Sequence, residues 1–265
     1  MSLQNEVTAS GLPVELWQPL LAGARELDIG PLLSPANGRG PVLIVVVPHP
    51  DDETLGAGGL LHRCVAAGAE VVVVFVTDGA AGYPGVAAGQ AEELARLRRE
   101  ESRKALELLG LDADLALFLD LPDGRVGLAE SALAGWLQSL LGDRRADLCL
   151  APWPLDPHPD HQAVGRAAAS AATAAAVALW QYPIWMRHSI QPDDSRVPLE
   201  QLRVFRLEPG EQAVKRAATE AHGSQLRSPF PGYGPVLPEH VLELFADGYE
   251  PFFVPAEADP TPGDL

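Results

Sequence analysis

The chain has 265 residues, 47% of them hydrophobic, which suits one large α/β domain with a sizeable core and is too apolar for bulk disorder. Its formal charge of −17 argues against a nucleic-acid backbone or an anionic membrane surface as partner. No apolar run reaches the ~20 residues that span a bilayer, and no early stretch has the layout of a signal peptide, so the expected setting is the cytoplasm.

Residues 1–40 read as an N-terminal extension packed on the domain, with a helical pattern over 16–27 followed by Pro and Gly. Val42–Val47 is a continuous apolar run rich in β-branched residues, which predicts a strand buried on both faces and therefore parallel. His49, Asp51 and Asp52 follow it at once. A helical pattern over 55–67, a second buried strand over 71–76 and a Gly- and Ala-rich loop over 80–89 come next. The long charged helix predicted over 90–109 is closed by Gly110.

Residues 115–119 read as a short strand, 128–141 as a helix and 148–151 as another strand. A Pro-rich segment then carries Asp156, His158, Asp160 and His161 into an Ala-rich helix over 162–176, and Ala178–Tyr182 reads as a fifth strand. This alternation predicts an α/β fold, a Rossmann-like, mostly parallel sheet with helices on both faces. After Pro183 the rhythm changes to a polar loop over 187–198, a half-exposed strand over 201–206, helices over 212–221 and 238–246, and a short strand over 251–254. That last third reads as a C-terminal cap region finishing a pocket within a single domain, residues 41–254. The Pro-rich, acidic tail 255–265 reads as frayed. GAGG at 56–59 lacks GxGxxG spacing and reads as small residues for close helix–sheet packing. Cys64 and Cys149 read as buried thiols, not a disulfide.

Two segments bear the chemistry. HPDDE places His49, Asp51 and Asp52 at the carboxyl end of one buried strand, and HPDH places His158, Asp160 and His161 shortly after another. An open α/β sheet puts its ligand site there. Either segment alone also suits a turn. Together they hold too many ionisable groups to bury without a metal or charge partner. Two His and one carboxylate are the ligand set of a catalytic zinc that keeps one position for water, and iron(II) suits the same donors.

The HPDDE and HPDH pair, with Thr77-Asp78-Gly79, LRREES from Leu97, Leu109-Gly110, LPDG from Leu121 and AHGSQ from Ala221, resembles the LmbE-like, or PIG-L, family of zinc-dependent N-deacetylases. These remove acetyl from N-acetylglucosamine conjugates, and the resemblance covers residues 41–253. It implies His49, Asp52 and His161 as metal ligands and Asp51 as general base. The alternative for Asp51 is a helix cap. It further implies that His158 stabilises the oxyanion as an imidazolium and protonates the leaving amine, with Asp160 accepting its ring N–H and raising its pKa.

Arg98 matches the family's arginine at the pocket mouth, suited to a sugar hydroxyl or the departing acetate. Its alternative is a surface arginine paired with Glu101. Asp123 reads as a pocket-side loop residue. His188, after the aromatic stretch from Tyr182, is a candidate contact for the aglycone. Asp156 suits either a supporting role or the turn, His62 and His240 read as structural and surface residues, and His222 as support for the fold.

The expected activity is metal-dependent removal of acetyl from an N-acetylated amino sugar. The expected partner is a small amino-sugar conjugate, with no nucleic acid and no membrane span; homo-oligomer formation is left open. Two alternatives stand beside it: an amidase acting on a non-sugar acyl amine, and a non-catalytic carbohydrate- or metal-binding relic. Intact Asp51 and His158 argue against the relic.

Overall fold

The computed structural model describes residues 11–33 and 39–255. Its strands are β1 (Arg25–Glu26), β2 (Val42–Val47), β3 (Glu70–Phe75), β4 (Ala116–Phe118), β5 (Leu148–Pro152), β6 (Ala178–Tyr182), β7 (Leu202–Arg206) and β8 (Tyr249–Phe253). They form one sheet in the order β1-β7-β8-β6-β5-β2-β3-β4. β8 runs antiparallel to both its neighbours, and every other pair is parallel.

All six residues of β2 are buried, as its unbroken apolar run requires. Side chains alternate across a strand, so the two faces of β2 feed two cores. Leu43, Val45 and Val47 pack with the helices α1 (Asp52–Ala66), α2 (Ala88–Leu109) and residue Ala218 of α5 (Pro209–Ala221). Val42, Ile44 and Val46 pack with α3 (Glu130–Arg144) and α4 (Pro159–Ala175). Helices therefore cover both faces. α2 ends as expected: Gly110 adopts φ +84° and the Leu111 N–H reaches back to the Leu106 carbonyl.

The topology places the site. From β2 the chain steps outward through β3 to β4, then returns to lay β5 on the other side of β2. This reversal of strand order opens a crevice at the carboxyl ends of β2 and β5. The loops that follow those two strands carry HPDDE and HPDH.

Close approach of helices to the sheet depends on glycine. A Cβ at Gly56 would lie 2.5 Å from Tyr182 Cδ2, and one at Gly59 would lie 1.7 Å from Leu207 Cδ2. The same bareness lets Glu250 of β8 accept the mid-helix N–H groups of Gly59 at 2.8 Å and Leu60 at 2.9 Å, while Lys215 of α5 balances its charge at 2.7 Å. GAGG is thus a packing device.

Several elements differ from expectation, each for a tertiary reason. The helical pattern over 16–27 yields only the helix Gln18–Gly23. The chain then extends as β1, held by pairing with β7. α1 begins at Asp52, earlier than its apolar pattern. The polar stretch after Pro183 opens with the buried helical turn Met186–Ser189. The last third adds β7 and β8 to the main sheet besides returning over the pocket. In the extension, Trp17 and Leu21 are buried beside Trp153 and Phe253. The tail beyond Pro255, expected to fray, lies outside the described residues, as do residues 1–10 and 34–38 of the extension. Among the described residues no helix is long and apolar enough to cross a membrane.

Gly165 of α4 gives the test of this packing. A Cβ there would sit 2.5 Å from the Pro152 carbonyl oxygen and 2.9 Å from Pro154 Cα, both backbone atoms that cannot swing aside. Gly165→Ala should destabilise the protein by about 1–3 kcal/mol through overpacking, despite a gain of about 1 kcal/mol in helix propensity. Gly89→Ala, on the exposed first turn of α2 with nothing within 4 Å, should keep that gain. Thermal melts of the two variants check this, and equal melting temperatures would refute it.

Candidate metal and catalytic centre

After β2, Pro48 to Asp51 form a tight turn into α1. Asp52, the first residue of that helix, folds back so that its Oδ2 accepts the His49 N–H at 2.9 Å. His161 comes from the first turn of α4. His49 Nδ1 and His161 Nε2 lie 3.3 Å apart, and Asp52 Oδ2 lies 3.5 Å and 3.4 Å from them. Four-coordinate zinc binds N and O donors at about 2.0–2.1 Å, which sets tetrahedral donor pairs about 3.3–3.4 Å apart. The three donors already have that spacing, so they fit a metal ion without rearrangement.

Their electrostatics call for a cation too. Burial opposes protonation of His49, yet its bonds to Asp123, Asp160 and Asp52 hold its pKa well above the ordinary value. Burial likewise opposes ionisation of Asp52, but His161 and His49 hold its pKa down. The buried carboxylate thus demands positive charge at the point where the two imidazoles meet.

An outer set of carboxylates orients these rings, as carboxylates commonly do for the far nitrogen of a metal-bound histidine. His161 Nδ1 faces Asp156 Oδ1 at 3.3 Å. Asp156 is fully buried, and its Oδ2 takes the N–H groups of Ile184 at 2.9 Å and Trp185 at 2.8 Å. His49 Nε2 faces Asp123 Oδ1 at 3.2 Å and Asp160 Oδ2 at 3.4 Å. Asp123 Oδ2 also accepts the Ala81 N–H at 2.8 Å. Asp123, expected as a pocket-side loop residue, therefore holds the His49 ring of this candidate ligand group.

The expected His158–Asp160 pairing is corrected as well. The Asp160 carboxylate is taken by the N–H groups of Gly124 at 2.7 Å and Val126 at 3.1 Å. The bond between the two residues runs the other way: the Asp160 backbone N–H donates to His158 Nδ1 at 3.2 Å, making His158 the N-cap of α4. Nδ1 is thereby an acceptor, which leaves the ring proton on Nε2. Burial first, then the charges of His49 and His161, push the His158 pKa down to about 2. That shift favours the neutral ring over the expected imidazolium. It stands edge-on to His49, with ring centroids 4.7 Å apart.

The Asp51 carbonyl accepts the Thr54 and Leu55 N–H groups at 3.0 Å and 2.9 Å, but its side chain makes no hydrogen bond to the start of α1, so the carboxylate does not cap that helix. It is 6% exposed and has φ +120°, a conformation a non-glycine residue holds only under constraint. Burial, then the Asp52 and Glu53 carboxylates, raise its pKa well above the ordinary value, against the opposing pull of His222 and Arg98.

Behind it lies a buried group in which His222 was expected to support the fold and Glu53 and Gln225 had no assigned part. Glu53 Oε2 accepts the Asp51 N–H at 3.2 Å, and Glu53 Oε1 lies 3.4 Å from His222 Nε2. Gln225 donates its side-chain N–H to the Pro50 carbonyl. The AHGSQ segment therefore braces the HPDDE turn, and that motif was the sequence signal for it.

Arg98 is 2% exposed and donates from Nη1 to the Gly79 carbonyl at 2.7 Å. Its Nε and Nη2 find no partner among the described residues. Glu101 does not pair with it, being bound to the Ser224 N–H and hydroxyl, each at 2.7 Å. His188 is not brought to the group: its ring packs edge-on to Trp185 at 5.8 Å and lies against Gly11. His62 Nδ1 bonds the Leu109 carbonyl at 2.9 Å and is structural. Cys64 and Cys149 are free and buried, and burial lifts both thiols to about 12.

The PIG-L: GlcNAc-PI de-N-acetylase family model matches residues 44–172, a range that contains the whole His–Asp group. The chain is 31% identical over 233 residues to 1D-myo-inositol 2-acetamido-2-deoxy-alpha-D-glucopyranoside deacetylase 1 of Saccharopolyspora erythraea, covering 78% of this chain and 72% of that one. It is 31% identical over 126 residues to the diacetylchitobiose deacetylase of Thermococcus kodakarensis, and that match spans only 46% of each chain. Among solved structures, the conserved protein TT1542 from Thermus thermophilus superposes with a TM-score of 0.59 at 27% identity, covering 84% of this chain and 98% of that one.

The strained backbone of Asp51 can be measured apart from any activity. Asp51→Gly relieves the positive φ, whereas Asp51→Ala removes the same carboxylate and keeps the strain. With chelator present, the Gly variant should be more stable than the Ala variant by about 1 kcal/mol. Denaturant melts that rank Ala above Gly would contradict it.

Proposed function

Because the chain belongs to the PIG-L family, we propose that it is a metal-dependent N-deacetylase that hydrolyses the acetamide of an N-acetylglucosamine-type conjugate to acetate and a free amine. One observation carries this reading: three donors spaced for one metal ion stand beside Asp51, a carboxylate whose pKa is raised and whose side chain serves no helix cap.

His49, Asp52 and His161 would hold the ion, with zinc or iron(II) suiting the donor set. A bound divalent ion there supplies Lewis-acid polarisation of the acetyl carbonyl and makes water acidic enough to attack near neutral pH. The chain's own groups do the rest. Asp51 accepts a proton from the attacking water. Its raised pKa also equips it to return that proton to the nitrogen as the C–N bond breaks, and the remaining acidic proton of the product leaves to solvent. An ordinary Asp, with pKa ~3.9, would be a poor agent for either step.

His158, neutral and protonated at Nε2, contributes a hydrogen bond to the developing oxyanion. Asp160, through its backbone N–H, fixes which nitrogen carries that proton. Arg98 offers two unpartnered buried donors for the sugar or the departing acetate.

Acetate release from N-acetylglucosaminyl conjugates should cease with chelator and return on adding zinc or iron(II). His161→Ala should lose metal and activity together, and full metal stoichiometry by elemental analysis in that variant would remove His161 from the ligand set. Asp51→Asn should keep its metal and lose about 10²–10⁴-fold in turnover. A variant that keeps its rate would remove Asp51 from the chemistry. Release of acetate only from non-sugar acyl amines would replace the substrate class.

The pH profile tests the protonation states. Turnover should fall as pH drops through the raised pKa of Asp51, since its acceptor form exists only above that value. His158, with its pKa pushed down to about 2, is neutral throughout the assay range and should add no basic limb. His158→Gln retains an N–H donor and should exceed His158→Ala in rate. A basic limb that vanishes in His158→Gln would restore the imidazolium role.

A further inference from the structure

Two loops meet beside the centre and carry three aromatic rings that the reaction does not use. Tyr83 is 3% exposed and donates its hydroxyl to the Ser224 carbonyl at 2.8 Å. Phe230 and Tyr233 stand edge-on to it, with centroids 5.3 Å and 5.5 Å away. The Tyr233 hydroxyl donates to the Pro84 carbonyl at 2.6 Å, yet the residue stays 38% exposed. The loop bearing Phe230 and Tyr233 is closed at its base by the Leu237 N–H on the Gln225 carbonyl at 3.0 Å. Gln225 is tied in turn to Pro50, next to Asp51. The rings are thus locked in place before any ligand arrives.

They also lie within reach of the reacting group. Ala81 is bonded to Asp123, which faces His49. Pro84 is three residues further on, hence at most about 11 Å from Ala81. Tyr233, bonded to Pro84, therefore stands on the side of the centre that the Ala81 loop occupies.

We propose that Phe230 and Tyr233, seated on Tyr83, form a subsite for an uncharged aryl aglycone; the proposal rests on the deacetylase reading above. The chemistry of the platform selects an aryl ring over a hydroxylated one. The hydroxyls of Tyr83, Tyr233 and Ser228 all donate to backbone carbonyls. Exposed Pro84, Pro229 and Pro231 flank them. These groups offer a sugar or polyol no free donor, their hydroxyl protons being engaged, whereas an aryl ring needs only offset or edge-on contact.

The test uses the full chain, metal-loaded, carrying Asp51→Asn so that ligands bind without turnover. Calorimetry compares phenyl N-acetyl-β-glucosaminide, free N-acetylglucosamine and diacetylchitobiose. The phenyl glycoside should bind about five- to tenfold tighter than the monosaccharide, the range an aromatic pair supports. Adding Tyr233→Ala should bring that ratio close to one, and Tyr233→Phe should keep it, because the ring and not the hydroxyl makes the contact. Phe230→Ala should lower the ratio as well, which keeps the test decisive if Tyr233→Ala unfolds the loop.

A ratio near one in the parent, or a preference that survives both alanine variants, overturns the subsite. Equal preference for the disaccharide, lost in Tyr233→Ala, overturns the aryl assignment in favour of a sugar ring. No binding of any of the three overturns both subsite and deacetylase reading. Acetate release by the unsubstituted protein separates the two claims: if no ligand is deacetylated while the aryl preference holds, the deacetylase reading fails and the subsite stands.

Discussion

Two imidazole nitrogens and a carboxylate oxygen converge within 3.5 Å of one another at the end of a buried sheet. Burying such a set is unfavourable unless positive charge is placed among them. Much of the surrounding structure answers that constraint. Asp156, Asp123 and Asp160 face the outer nitrogens of the two rings, and each of these carboxylates is itself held by backbone N–H groups. The centre is thus a layered arrangement: cation-seeking donors inside, orienting carboxylates outside, and backbone amides beyond them.

Asp51 and Asp52 are adjacent in sequence and have opposite fates. Asp52 opens α1 and turns toward the two histidines, so its pKa falls. Asp51, carried on a φ of +120°, points elsewhere, shares its surroundings with Asp52 and Glu53, and its pKa rises. One strained backbone torsion separates a carboxylate held anionic from one whose proton affinity is raised. Environments that push neighbouring carboxylates apart in pKa are how a site obtains both roles from one residue type. The Glu53–His222 pair and the Gln225–Pro50 bond brace the turn that keeps this torsion.

The scaffold serves the site at some distance. Glycines let α1 and α4 lie close to the sheet, so His161 sits within reach of His49 although the two come from different helix starts. Glu250, from the antiparallel strand β8, binds the backbone of α1 below its first turn, with Lys215 balancing its charge. The late strands of the chain thus steady the first loop of the centre.

Local pattern determined much of this protein. The unbroken apolar run 42–47, the alternation of strands with helices and the placement of HPDDE and HPDH after two strands were legible because burial and chain direction act over a few residues. They gathered the His and Asp residues of HPDDE and HPDH at one end of the sheet without knowledge of any contact, and the family resemblance singled out His49, Asp52 and His161 among them. The tertiary structure alone decided who faces whom. Asp123 belongs to His49, His158 accepts a backbone N–H where it was expected to donate to a carboxylate, Arg98 turns inward, and His188 packs under Gly11. β8 enters the sheet between β7 and β6 and runs antiparallel to both. Such outcomes hang on partners widely separated in the chain: His49 and His161 are 112 positions apart, Gly59 and Glu250 are 191 apart. The energy of a hydrogen bond or a pKa shift depends on distances of a few ångströms, and sequence periodicity carries no information about distances across the fold.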